Sequence, residues 1–311
     1  MPEEMKLNKP WLIAVWPGMG HVAISAGYYL MAKLGMHLHT EFAATELFDV
    51  DHVEVKEGLI RPSQLPRSRI FVWQDGGHQH DIVLFLGEAQ PPAGKYPFCR
   101  RLIRYALELG VERVFTFAAM ATQMHPEHDS RVFGAATDPE SLAELQELDL
   151  EILQDGHIGG LNGVLLGVAA EMGLRGACLL GEMPHLFSQL PFPKASLAVL
   201  KVFTMIGNIE LDTAELAKEA RAMDERLGEL LAKIEHAIQR QAEPEEEAGV
   251  ELGDEEGLSE SNRQRIEKLF GQSREDRSKS YELKQLLDQL GVFAEYEDRF
   301  LDLFRKPESE S

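Results

Sequence analysis

The clearest hydrophobic pattern of the chain lies near its middle, in residues 155–193. Gly159, Gly163 and Gly167 are spaced four apart, which predicts a helix face that packs closely on a sheet or another helix. The run GACLLGE that follows is short, apolar and bounded by glycines, which predicts a strand buried on both faces. Six apolar residues recur at the helical period on a second face of the same helix: Leu161, Val164, Leu165, Val168, Ala169 and Met172.

The N-terminal part of the chain alternates between short apolar runs and helical patterns. The runs WLIAVW, IVLFLGE and VERVFTFAAM predict buried strands, and HLHTEF, HVEVKEGLI, RIFVWQ and RVFGAAT predict further strands. Helices are predicted for VAISAGYYLMAKLG and FCRRLIRYALELG. Since a strand, a helix and a second strand in this order imply a parallel crossover, the pattern predicts a protein of the α/β class.

A long helix is predicted from Asp212 onward. Its apolar residues alternate spacings of four and three, which is the pattern of a heptad seam. Such a seam is expected either of a helix that packs on its own domain or of a contact in an oligomer. The seam residues are Leu216, Ala220, Met223, Leu227, Leu230, Ile234 and Ala237.

These patterns divide the chain into three parts. Residues 1–240 are the predicted α/β core domain, which ends in the long helix. Residues 241–257 carry eight acidic residues and no basic one, which predicts a flexible linker. Residues 258–311 regain a helical pattern. Because so few residues make only a marginal core, we expect this small helical unit to pack on the main body, on a second copy or on a partner.

Composition narrows the choice of partners. The formal net charge is −21, so the chain repels phosphate backbones and anionic lipid surfaces, and we expect no nucleic acid and no membrane partner. The two cysteines, Cys99 and Cys178, lack the spacing of a metal site or a redox motif, which favours free thiols in a reducing cytoplasm. The first residues show no signal-peptide pattern, and we expect a cytoplasmic protein.

Three polar motifs follow predicted strands: GMGH, GEAQP and GEMPH. Because ligands of open α/β sheets bind beyond the carboxyl ends of the strands, their polar residues are predicted to converge on one cleft. A carboxylate pair with a nearby histidine could support acid–base chemistry there, although loops at strand ends are also polar simply because they are solvated. The candidate ligand-binding residues are Gly18, Gly20, His21, Glu88, Gln90, His157, Asn162 and Glu182.

Stronger chemical signatures are missing from the sequence. Gly18, Gly20 and Ala23 fit the glycine pattern of a dinucleotide-binding turn, but tight strand-to-helix turns need glycine for steric reasons alone, so we favour a structural turn. The pattern of a phosphate-binding loop is absent after PGMGH, and the histidines lack the spacing of a zinc helix. We therefore expect no metal and no cofactor, and the catalytic residues, if any, stay unassigned.

Several motifs together resemble the proteasome assembly chaperone 2 family over residues 10–238. They are PGMGHVAISAGYYL, LGEAQP, MHPEHDSRVFGAATD, DGHIGGLNGVLL with GACLLGEMP, and FPKASLAVLKVF with IELDTAELAKEA, in that order. The resemblance implies a three-layer α/β/α sandwich, similar to phosphorylases and hydrolases, here with a C-terminal helical extension. It also implies chaperoning of proteasome α-subunits or association with proteasomes as a homo-oligomer, and it supplies no catalytic residues. The chain ends Pro-Glu-Ser-Glu-Ser rather than in the hydrophobic-Tyr-any tail of docking members, so docking through such a tail is not expected.

Two hypotheses about function follow. The first is a non-enzymatic, self-associating protein of assembly-chaperone type, whose partners are other copies of the chain and proteasome subunits or other proteins. The second is an enzyme that binds or hydrolyses a small molecule in the predicted cleft.

Overall fold

The computed structural model describes residues 6–49, 53–56, 58–61, 65–74, 76, 79–148, 150–241 and 260–305. Apart from Gln241, the predicted acidic linker lies outside these residues. The strands are β1 (Trp11–Val15), β2 (His37–Glu41), β3 (Glu54–Lys56), β4 (Leu59–Arg61), β5 (Ser68–Trp73), β6 (Ile82–Gly87), β7 (Arg113–Thr122), β8 (Val132–Ala136), β9 (Glu151–Ile152) and β10 (Arg175–Pro184). The helices are α1 (Val22–Lys33), α2 (Lys95–Glu108), α3 (Pro139–Glu147), α4 (Gly160–Glu171), α5 (Pro193–Gly207), α6 (Ala214–Gln241), α7 (Glu260–Glu275), α8 (Ser280–Gln289) and α9 (Phe293–Asp302).

An eight-stranded mixed sheet forms the centre of the protein, in the order β2-β5-β6-β1-β7-β10-β8-β9. Its four middle strands are parallel, and Ile13 of β1 lies between Leu84 of β6 and Phe115 of β7. The order β6, α2, β7 is thus a parallel crossover that places its two strands on either side of β1, and the predicted α/β class is confirmed. Strands β5 and β8 run antiparallel to their inner neighbours, and β3 pairs with β4 in a separate hairpin.

Helices cover both faces of this sheet. Because side chains alternate along a strand, Ile13 and Val15 contribute to the core shared with α1, α5 and α6, whereas Leu12 and Ala14 contribute to the core shared with α2 and α4. The predicted GACLLGE strand is part of β10, which is buried along nearly its whole length. The architecture is therefore the three-layer α/β arrangement implied by the family resemblance.

The glycines of α4 do not form the close-packed stripe that their spacing predicts. A Cβ atom on Gly163 would lie 2.0 Å from the backbone oxygen of Ile158, in the loop just before the helix. A Cβ atom on Gly159 or on Gly167 would have no neighbouring atom within 4 Å. Helix α4 does pack on β7, β10 and α2, as predicted, but it does so through apolar residues such as Leu161 and Leu165 and not through the glycine face.

Two alanine substitutions in α4 should have opposite effects. We expect Gly163→Ala to lower the free energy of unfolding by about 2 kcal/mol, because the entry loop must move to admit the new methyl group. Gly167→Ala should raise it by about 0.5 to 1 kcal/mol, because this position is exposed in a helix interior, where alanine is preferred. Urea unfolding of the two variants tests this pair, and a change of the same sign in both would contradict the packing described.

The heptad seam of α6 packs against its own chain. Leu216, Ala220 and Leu227 are at most 4% exposed, and α6 packs beside α5. Leu230 is 39% exposed, and the side chains of Ile234 and Ala237 lie outside the described residues. Of the two predicted roles of the seam, the part from Leu216 to Leu227 therefore serves packing on its own domain.

The C-terminal helices pack on the main body, which is one of the three arrangements expected for them. The Tyr28 ring of α1 makes edge contacts with Phe293 at 5.3 Å and with Phe300 at 5.8 Å between centroids. Phe304 packs on Phe71 of β5, and its backbone oxygen accepts a hydrogen bond of 2.6 Å from the Leu38 amide of β2. This cover explains why α1 is apolar on all sides: the sheet, α5 and the C-terminal helices together enclose it.

An ion-pair network joins the same two parts of the chain. Arg69 of β5 has a side chain that is only 3% exposed, and it contacts Glu88 at 2.5 Å and Asp298 of α9 at 2.7 Å. Arg67 pairs with Asp298 as well. Charged and apolar contacts therefore fix α9 beside β5.

No helix within the described ranges combines the length and the apolar character that crossing a bilayer requires.

Candidate functional site

The carboxyl ends of the parallel strands meet at one edge of the sheet, as the sequence predicts. The turn after β1 contains Gly18, Gly20 and His21, and the loop after β6 contains Glu88 and Gln90. Near the end of β10 lies Glu182, while His157 and Asn162 belong to the entry loop and first turn of α4. The contacts of each side chain decide which of them share a site.

A cleft of about 300 Å³ opens between α1, the loops after β1 and β6, and the C-terminal helices α8 and α9. We call it the seam cleft, because its walls come from both the core and the C-terminal unit. Two of the predicted site residues, His21 and Glu88, lie in it. Its lining consists of Pro17, His21, Ile24, Tyr28, Gly87, Glu88, Lys284, Asp288, Gly291, Phe293, Ala294 and Glu297.

His21 enters the seam cleft from a strained turn. Its φ is +52°, in the left-handed region that residues other than glycine rarely adopt, and Gly20 before it has φ +60°. Partial burial lowers the pKa of the His21 imidazole, and the Lys284 ammonium lowers it further, while Asp288 acts in the opposite direction. The imidazole is therefore neutral at pH 7, with one donor and one acceptor nitrogen.

Glu88 is held by the core. One of its oxygens accepts a hydrogen bond of 2.7 Å from the Arg67 amide, and the other contacts the Arg69 guanidinium at 2.5 Å. Both oxygens thus have strong donors already, which makes Glu88 a fixed part of the cleft wall.

The C-terminal helices add three ionisable groups that the sequence did not suggest. The Tyr28 hydroxyl donates a hydrogen bond of 2.7 Å to Glu297, whose pKa is raised by burial. The Lys284 ammonium contacts Asp288 at 2.5 Å and lies 4.2 Å from the centre of the Phe293 ring. Nothing in the periodicity of α8 or α9 indicates that these side chains meet the turn after β1, and no local signal could have identified them.

Gln90 and Asn162 connect the loops at the start of α4. The Gln90 side-chain oxygen accepts a hydrogen bond of 3.1 Å from the Leu161 amide and so satisfies one donor at the helix N-terminus. The Thr116 hydroxyl donates to the backbone oxygen of Asn162 at 3.4 Å. These contacts position α4 on the sheet, and neither residue lines the seam cleft.

Glu182 is a buried member of an ion pair. It is 2% exposed and receives hydrogen bonds from the Arg131 guanidinium and the Thr122 hydroxyl. The hydrogen bonds from Arg131 hold the pKa of this carboxyl below its usual range, against the effect of burial. A carboxylate fixed in this way ties β10 to the segment before β8.

His157, by contrast, is exposed and lines a separate depression of about 570 Å³ beside α4.

The structure therefore brings two predicted side chains, His21 and Glu88, into one cleft and distributes the others around it. Ligand binding by these residues stays a prediction.

Both cysteines are buried free thiols, and burial raises the pKa of Cys99 and of Cys178 to about 12, which leaves them protonated and unreactive. In the described ranges, no three His, Cys, Asp or Glu side chains are grouped as a metal ion would need.

A patch of exposed apolar side chains lies at the same edge of the sheet. Met19, Leu186 and Leu190 are 44%, 57% and 40% exposed. We call this patch the apolar platform. Its two loops are joined by backbone hydrogen bonds of 2.9 Å from Gly20 to Ser188 and from Phe192 to Gly20. The platform is thus a braced surface rather than two independent loops.

Comparison with known proteins places this fold in a family. The PAC2 family model matches residues 12–231, and the chain belongs to the PAC2 family. An uncharacterized protein of Methanocaldococcus jannaschii is 32% identical over 240 residues, which cover 76% of this chain and 88% of the relative.

Two solved structures from Pyrococcus furiosus share the architecture. PbaA, described as an archaeal homolog of proteasome-assembly chaperone, is 25% identical with a TM-score of 0.58, over 76% of this chain and 94% of PbaA. PbaB, described as an archaeal proteasome activator, is 24% identical with a TM-score of 0.62, over 73% of this chain and 96% of PbaB. At this identity PbaB supports the fold alone.

Proposed function

We propose that this protein binds proteasome subunits through the apolar platform and acts as an assembly chaperone of the proteasome. Membership of the PAC2 family supports a protein partner, and the description of PbaA supports the proteasome as that partner. A cytoplasmic location and self-association through a surface other than the α6 seam belong to the same proposal.

The platform is the observation that carries the proposal. Large apolar side chains that stay exposed together on a braced surface favour association with another protein, because their burial removes apolar area from water. Two backbone hydrogen bonds fix its loops, so little conformational entropy is lost when a partner docks. Gly20 maintains the arrangement, since its φ of +60° lies in the left-handed region that residues with a side chain rarely adopt.

Leu186→Asp should weaken capture of purified proteasome α-subunits by at least about tenfold, because it places a charge at the most exposed residue of the platform. Affinity can be measured by surface plasmon resonance with the full-length protein. Met205→Asp is the matched control: Met205 is 58% exposed on α5, two residues before Gly207, which packs beside Trp11 at the opposite edge of the sheet.

Equal affinities of the two variants would contradict docking through the platform. Light scattering on the same samples separates a second outcome. If Leu186→Asp changes the oligomeric state but leaves capture of α-subunits intact, the platform is a contact between copies, and the proposed proteasome interface is wrong.

A further inference from the structure

The seam cleft combines carboxylate oxygens with aromatic walls. Asp288 and Glu297 each use one carboxylate oxygen, towards Lys284 and Tyr28 respectively. Within the residues that the structure describes, the second oxygen of each has no hydrogen-bond donor, and the His21 imidazole has no hydrogen-bond partner. Apart from the remaining N–H groups of Lys284 and the one N–H of His21, the unused polar atoms of these side chains are acceptors, which suit a ligand that brings donors.

The aromatic walls already hold one ammonium group. The Lys284 nitrogen lies 4.2 Å from the centre of the Phe293 ring and 5.0 Å from that of Tyr28, and the residue is only 8% exposed. Such positions over ring faces stabilise cations, most of all where water is excluded. Because the Lys284 ammonium is already paired with Asp288, an anion that entered the cleft would still face the carboxylates of Glu88 and Glu297.

We propose that the seam cleft binds a small organic amine, whose ammonium group donates hydrogen bonds to Asp288 and Glu297 and whose apolar body packs on Ile24 and Tyr28. This proposal is independent of docking to the proteasome. The volume of about 300 Å³ lies at the lower end of the range of small-molecule pockets and limits the ligand to a compact molecule. The neutral imidazole of His21 supplies a third acceptor from the opposite wall.

Binding of an amine in this cleft links the two parts of the chain. Ile24, Tyr28 and His21 belong to the core, whereas Asp288 and Glu297 belong to the C-terminal helices. The family model ends at residue 231, so the second wall of the cleft comes from a unit beyond the matched region. The amine site is therefore a property of this chain's extension, and ligand binding should strengthen the docking of α8 and α9 on α1.

Isothermal titration calorimetry of the full-length protein tests the proposal with defined probes. 2-Phenylethylamine and cadaverine should bind, whereas 2-phenylethanol and phenylacetate, which keep the phenyl group but replace the ammonium with a neutral or an anionic group, should bind at least about tenfold more weakly. Lack of heat from both amines at millimolar concentration, or equal affinity for 2-phenylethylamine and 2-phenylethanol, would overturn the proposal.

Glu297→Gln should weaken the binding of 2-phenylethylamine at least about tenfold, since it removes the negative charge but keeps an oxygen that accepts the Tyr28 hydrogen bond. Glu295→Gln, in the same helix but outside the cleft, is the matched control and should bind as the wild type does. Asp288→Asn, at an exposed position, provides a second test in case Glu297→Gln folds poorly. Unchanged affinity in both cleft variants would show that these carboxylates do not hold the amine.

Discussion

Replacing Phe300 by alanine should lower the free energy of unfolding by about 3 to 5 kcal/mol, one of the largest effects that we expect from a single substitution in this protein. Phe300 is fully buried, and its ring contacts Tyr28, Phe293 and Phe304 at centroid distances between 5.6 and 5.8 Å. Truncation leaves a cavity between α9 and α1 and removes these aromatic contacts. Urea unfolding measures the loss, and hydrogen exchange of the α8 and α9 amides shows where it acts.

Phe48→Ala is the control for this substitution. Phe48 is only half-buried and packs on the opposite face of the sheet, near Phe98. It should cost less stability and leave the protection of α8 and α9 unchanged. If Phe300→Ala left that protection intact as well, the aromatic cluster would not be what holds the C-terminal helices on the core.

Arg69→Met should lower the free energy of unfolding by about 2 to 4 kcal/mol. The guanidinium is buried and bridges Glu88 and Asp298, so its removal leaves the half-buried Glu88 with Arg67 as its remaining cation. Breaking a buried pair from one side is costly because the other charge stays desolvated. Denaturant unfolding at neutral pH measures the change.

A double-mutant cycle separates the ion pair from simple loss of packing. Adding Glu88→Gln to Arg69→Met removes the charge that the first substitution leaves behind, and it should recover part of the stability. Arg104→Met, at an exposed position of α2, should change the free energy by no more than about 0.5 kcal/mol. Full additivity of Arg69→Met and Glu88→Gln would mean that the two side chains do not interact energetically.

Local features of the fold could be predicted from the sequence because their causes are local. The buried run of β10 and the crossover from β6 to β7 follow from apolar periodicity and element order. Asp138 illustrates the same point at a helix start, since its carboxylate accepts a hydrogen bond of 2.9 Å from the Ser141 amide three residues on. The family followed from several such segments in a fixed order.

The candidate site could be predicted only in part. The sequence placed His21 and Glu88 at the carboxyl edge of the sheet, where both line the seam cleft. It could not show that the charge of Glu182 is balanced by Arg131. An acidic residue after an apolar run has the same sequence pattern whether its partner in the fold is water or a guanidinium. It also treated Gly163 and Gly167 alike, although the backbone of Ile158 approaches only the first.

The sequence by itself determined the α/β order, the family and the edge of the sheet where polar groups gather. Only the tertiary structure decided that the C-terminal helices cover α1 and that Lys284, Asp288 and Glu297 complete a cleft with His21. The physical reason is distance along the chain. Periodicity records which face of a helix avoids water, but Tyr28 and Glu297 are 269 residues apart, and no local pattern specifies which apolar face will meet which.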